Sequence, residues 1–147
     1  MPAADLEQYF PNLQNSGYDI TSDIDVSYNC VAFAVLDDTR WWDPNDPDGF
    51  WPAGIPRDDT VDGFRALFES LDFERCLDAV VEPGFEKVAI YGTASGAFTH
   101  VARQLASGEW TSKLGELEDI VHATLDGLDS QHYGSVRVIL KKQSTAA

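Results

Sequence analysis

The sequence predicts an α+β protein with N-terminal helices packed on a mostly antiparallel sheet. Three observations predict it. The 147 residues are 44% hydrophobic and 12% aromatic, enough apolar material for one core in one domain, 1–147. Up to about Glu82 the chain is aspartate-rich and punctuated by proline and glycine, with apolar residues at helical spacing. From Pro83 onward short apolar runs alternate with glycine-containing turns. Helices first and hairpin-linked strands afterwards make an α+β order.

In chain order, Asn29 to Leu36 (NCVAFAVL) suits a buried helix, with Asn29 or Ser27 placed to accept from its first free amides. Val31, Phe33 and Val35 keep a strand as the competing reading. Residues 40–59 (RWWDPNDPDGFWPAGIPRDD) gather four of the seven prolines and three of the four tryptophans, which predicts a long ordered loop. Val61, Phe64, Leu67, Phe68 and Leu71 then recur at helical spacing behind Asp58 and Asp59, two acids suited to the positive end of the helix dipole. After Pro83-Gly84, residues 86–91 and 98–105 read as strands, and a turn at Ala106-Ser107-Gly108 leads into a third at 109–113. Leu117, Ile120, Val121, Leu125 and Leu128 are spaced as in a helix, which Gly127 cuts short. Residues 135–140 form a last strand, and 140–147 a polar tail.

Ten Lys+Arg against 25 Asp+Glu give a formal net charge of -15, which repels nucleic acid and anionic membrane surfaces and favours an uncharged substrate or a basic protein partner. No basic-then-apolar leader is read at the N-terminus, and the longest apolar run, Cys30 to Leu36, is too short to cross a bilayer, so the expected location is the cytoplasm. Cys30 and Cys76 are expected as free thiols, Cys76 as a small buried apolar residue. No metal or cofactor is expected. In DPNDPDG, aligning Gly49 with the glycine of a calcium loop puts Pro44 and Ile55 where carboxylates are required. The cysteines and the three histidines show no paired short spacing for zinc. In GTASG, Ser95 falls one place late for a serine-hydrolase elbow, and a strand follows, so it reads as a hairpin turn.

Cys30 is the leading candidate for chemistry, because free amides at a helix N-terminus favour a nucleophilic thiolate. His100, near the start of a core strand, is the candidate base, and such pairs meet in space whatever their separation along the chain. A third group must orient the imidazole. With a three-residue turn and Gly108 left-handed, Leu105 pairs with Glu109 and Ala102 with Ser112, which sets Ser112 on the face of His100. A two-residue turn sets Thr111 and Lys113 there instead. Asp119 is the carboxylate alternative, ahead of Glu118 and Asp126, and His122 reads as a surface residue of a helix. Trp41, Trp42, Phe50 and Trp51 either wall a substrate groove or pack over the core.

A cysteine at a helix start, then HVARQLASGEWTS from His100 to Ser112, resembles the papain-like cysteine hydrolase superfamily, especially its compact NlpC/P60-like branch. More closely, YNCVAFAV, FTHVARQL, GEWTSKLGELEDIVH and YGSVRVILKK resemble a family of small uncharacterised bacterial proteins with that layout. The resemblance implies a papain-like fold, Cys30 as nucleophile, His100 as general base and then acid, and Ser112 or Asp119 as orienter. Papain's glutamine six residues before its cysteine corresponds to Ile24, so the oxyanion hole would be the Cys30 amide with Tyr28 or Asn29. The implied activity is acyl transfer from an amide or ester of a peptide or protein. The alternative is an inactive acidic inhibitor or immunity-type module that engages a basic protein.

Overall fold

A computed structural model describes residues 3–25, 27–37, 39–46, 48–114 and 118–143, with side chains from Leu6 onward. Among these, seven strands form one sheet: β1 (Tyr18–Ile20), β2 (Glu74–Arg75), β3 (Phe85–Gly92), β4 (Phe98–Gln104), β5 (Trp110–Lys113), β6 (Asp119–His122) and β7 (Ser135–Gln143). The order across the sheet is β1-β6-β5-β4-β3-β7-β2, and every neighbouring pair is antiparallel. The run Val88 to Tyr91 is continuously apolar because β3 is covered on both faces. Val88 and Ile90 join a core with α3 (Cys30–Ala34), α4 (Val61–Ser70) and the tryptophan loop. Ala89 and Tyr91 join a second core with Leu6 of α1 (Ala3–Tyr9), Leu13 of α2 (Leu13–Ser16) and Leu128 of a 3-10 turn at Leu125–Leu128.

Local chemistry starts and stops the two helices of the first core. Thr60 caps α4 by accepting from the Gly63 amide at 3.0 Å, and Phe64, Leu67 and Phe68 bury one face. Each of those three side chains contributes about 2 kcal/mol by leaving water. Asn29, in extended conformation, caps α3 through the Ala32 amide at 3.2 Å, so 30–34 is a helix and not the competing strand.

The expected strands at 86–91, 98–105 and 109–113 are present as β3, β4 and β5, and the hairpin takes the three-residue form. Leu105 N donates to Glu109 O at 2.8 Å, and Gly108 has φ 93°. The fold is more sheet than expected. The helix read from 117 to 128 is β6 followed by the 3-10 turn, with Leu117 outside the described residues. Ile120 and His122 share one face of a strand held between β5 and β1, and a helix there would leave β1 without a partner and β5 with one bare edge. The strands β1 and β2 had no expectation at all; they are short, and their partners lie far along the chain. The polar tail is also corrected: Leu140 is fully buried, and β7 runs to Gln143 along β3, while 144–147 lie outside the described residues. Cys30 and Cys76 are both free, but Cys76 is half-buried, since β2 lies at the sheet edge. Among the described residues no helix is long and apolar enough to cross a membrane.

Candidate active site

The hairpin register brings the first two site residues together. Pairing of Arg103 with Thr111 continues to Ala102 opposite Ser112, and His100 lies two residues from Ala102 on the same face. His100 Nε2 and Ser112 Oγ are 2.9 Å apart. On the far side β6 places His122 opposite Trp110, again on that face, and Ser112 Oγ lies 2.8 Å from His122 Nε2. His122 Nδ1 is 2.9 Å from the Thr124 carbonyl oxygen. His100, Ser112 and His122 are all fully buried.

These contacts set the protons. A carbonyl oxygen only accepts, so His122 Nδ1 carries the hydrogen. Burial lowers the pKa of both histidines, His100 well below its ordinary value with His122 as the second cause, so both rings are neutral. His122 Nε2 is then a bare lone pair and accepts a hydrogen bond from the Ser112 hydroxyl, and Ser112 Oγ accepts from His100 Nε2–H. His100 Nδ1 is left as a bare lone pair, buried and without a hydrogen-bond partner. That is the protonation state a general base needs.

Cys30 opens α3, which packs over β4 and β5 on the Val88, Ile90 and Val101 face, opposite to the side chains of His100, Ser112 and His122. Because Leu105 and Glu109 are hydrogen-bonded across the hairpin, the amides of Arg103 and Val101 also face β5. The β4–β5 ladder ends at Arg103, and the Val101 amide, next after His100, meets the Cys30 sulfur instead of a strand. Tyr133 stacks on the His100 ring at 4.4 Å and 4°, and Cys30 is near enough to Tyr133 to raise its phenol pKa, second only to burial. The helix N-terminus does not make Cys30 a thiolate, as the sequence led us to expect. It is only 8% exposed, and burial pushes the thiol up to about 11, outweighing the amides of Val101, Val31 and Cys30 itself and the charge of Lys113.

Other expected site residues are engaged elsewhere. Asp119 is paired with Lys113 across β5–β6 on the opposite sheet face and accepts from the Tyr28 hydroxyl at 2.7 Å, so it does not orient His100. That same contact occupies the Tyr28 donor, which is thus not free for an oxyanion. Asn29 accepts from the amides of Ala32 and Trp42 and donates Nδ2 to the Trp42 carbonyl at 2.6 Å, a cap and tether rather than a substrate contact. Trp42 and Trp51 are buried against Phe50 and Phe64, and Trp41 is half-buried. The residue that the sequence misplaced is His122. Asp119-Ile120-Val121-His122 lacks a polar-apolar alternation, so no local signal marked His122 as a strand residue. Among the described residues no group of three or more His, Cys, Asp or Glu is disposed to hold a metal ion.

The family model described as Domain of unknown function (DUF7689) matches residues 19–141. The chain belongs to that family. The DUF7689 match begins within β1, ends within β7 and takes in Cys30, His100, Ser112 and His122. No curated protein and no solved structure gives a match to the chain.

Proposed function

We propose that this chain is a papain-like cysteine hydrolase or acyltransferase acting on an amide or ester bond of a peptide or protein, with Cys30 and His100 as the reacting pair. Two observations support the reading: His100 Nδ1 is bare and makes no hydrogen bond, to the Cys30 thiol included, in the resting structure, and the Cys30 sulfur meets the amide of the next residue, Val101. His100 Nδ1 takes the thiol proton, and the thiolate attacks the carbonyl carbon. The Cys30 backbone amide, at the helix N-terminus, is a donor for the oxyanion. His100 then returns the proton to the leaving amine or alcohol, and water or an amine resolves the thioester with His100 again as base. Ser112 and His122 hold the ring and its tautomer. Because the resting thiol is protonated and covered, substrate must open the site before attack.

The same burial favours a second reading, an inactive acidic module for a basic protein partner. A burst assay with p-nitrophenyl acetate separates the two. The enzyme gives about one equivalent of p-nitrophenol per chain, lost in folded Cys30→Ala and His100→Ala. No burst, together with alkylation of Cys30 only in denaturant, leaves the binding module.

A further inference from the structure

A cavity of about 560 Å³ lies at the end of α3 remote from Cys30. Its volume is within the range of small-molecule sites. The helices α3 and α4 both terminate in its wall, through Leu36 and Asp72, each in the left-handed region with φ 65° and 74°. Asp37 N and Phe73 N return to Ala32 O at 2.8 Å and Phe68 O at 3.1 Å, closing both helices. Carbonyl ends of two helices, with the carboxylates of Asp37, Asp72 and Glu86, make this wall electronegative.

Three cations stand in the same wall, and two are already matched. Arg40 Nε lies 2.9 Å from Asp37 Oδ2, and Lys142 Nζ lies 3.8 Å from Glu86 Oε2. Arg103 differs. Glu86, already beside Lys142, acts on its charge, but the Arg103 Nε is buried and makes no hydrogen bond with the protein, and the guanidinium rests 5.4 Å from the Phe33 ring centre. In a chain with 25 acids and ten Lys+Arg, a cavity-lining guanidinium with an unused buried donor is a recognition element in want of an acceptor. The Nε edge of a guanidinium presents two parallel donors, the geometry of a planar carboxylate. A monocarboxylate meets half the repulsion from Asp37, Asp72 and Glu86 that a phosphate dianion would meet. Val35, Phe73 and Val88 supply an apolar surface beside the cation.

We propose that this cavity binds a small monocarboxylate with an apolar body, the carboxylate on the Nε edge of Arg103 and the body against Phe73 and Val88. The site does not use His100, and it lies at the far end of α3 from Cys30. Arg103 is three residues beyond His100 on β4, so its side chain emerges on the opposite face.

Benzoate and hexanoate are the test ligands, titrated into the full chain by calorimetry and by ¹⁵N NMR of the arginine side chains. The expected result is saturable one-site binding that moves the Arg103 Nε–H resonance, with affinity reduced at least about tenfold in Arg103→Met. The neutral benzamide should bind at least about tenfold more weakly than benzoate. Failure of both carboxylates to saturate by about 10 mM overturns the proposal. So does benzamide binding as tightly as benzoate. Should Arg103→Met not fold, the Arg103 resonance in the unaltered protein decides alone: saturation without movement of that signal overturns it.

Discussion

His122 directs Nδ1 at the carbonyl oxygen of Thr124, 2.9 Å away, and this contact fixes where each proton sits as far as His100. A hydroxyl is the fitting link between the two rings because it donates to one and accepts from the other. Nitrogen NMR of histidine-labelled protein at pH 7.5 should therefore show two opposite neutral tautomers, His122 protonated on Nδ1 and His100 on Nε2. A signal from a charged imidazolium at either position would contradict the assignment.

Ser112→Ala removes both bonds at once and leaves two buried ring nitrogens unmatched. The expected loss is about 2–3 kcal/mol in urea unfolding. Any burst with p-nitrophenyl acetate should slow about 10²-fold.

Acid should destabilise the fold through the same rings. His100 and His122 have lowered pKa values, so the unfolded chain binds protons first as pH drops. Their contribution is present above the unfolded value of about 6.5 and is lost as pH falls below it toward the folded values. Urea midpoints at pH 7.5 and 5 should show the drop, and His122→Gln should lessen it.

The Cys30 thiol has the opposite sign. Its pKa is raised to about 11, so its contribution is intact below about pH 9 and is lost as pH climbs through about 11. The size is about 2–3 kcal/mol. In the native protein iodoacetamide should therefore label Cys30 more slowly at pH 8 than it labels the half-buried Cys76. Comparable rates at the two thiols would mean that the sulfur is open to solvent.

Asn29→Ala should cost about 2–3 kcal/mol, from the lost helix cap and two bonds to Trp42. The tryptophan loop is tethered to α3 through that side chain. Red-shifted tryptophan emission in the folded variant would report its release.

The local signals in the chain were sufficient for the helix at Val61–Ser70 and the β4–β5 hairpin, and they narrowed the Cys30 segment to helix or strand and the hairpin to two registers, of which the structure takes the helix and the three-residue turn. Each depends on neighbours within a few residues: a capping side chain, a 3.6-residue period, a left-handed glycine. Ser112 followed from that register because a pleated strand repeats every two residues. Pairings across long stretches of chain were not legible. Tyr18 meets His122 and Glu74 meets Lys141, and no short window of sequence contains both partners.

What the sequence determined by itself was therefore most of the local elements and the placing of two candidate side chains, Cys30 on a helix start and His100 on a strand. Only the tertiary structure decided that His122 completes the Ser112 link, that Asp119 turns to Tyr28 on the other face, and that the Cys30 thiol is covered. Proton positions and pKa values depend on solvation and on which groups meet in space. Both are properties of the assembled core, and residue order alone does not carry them.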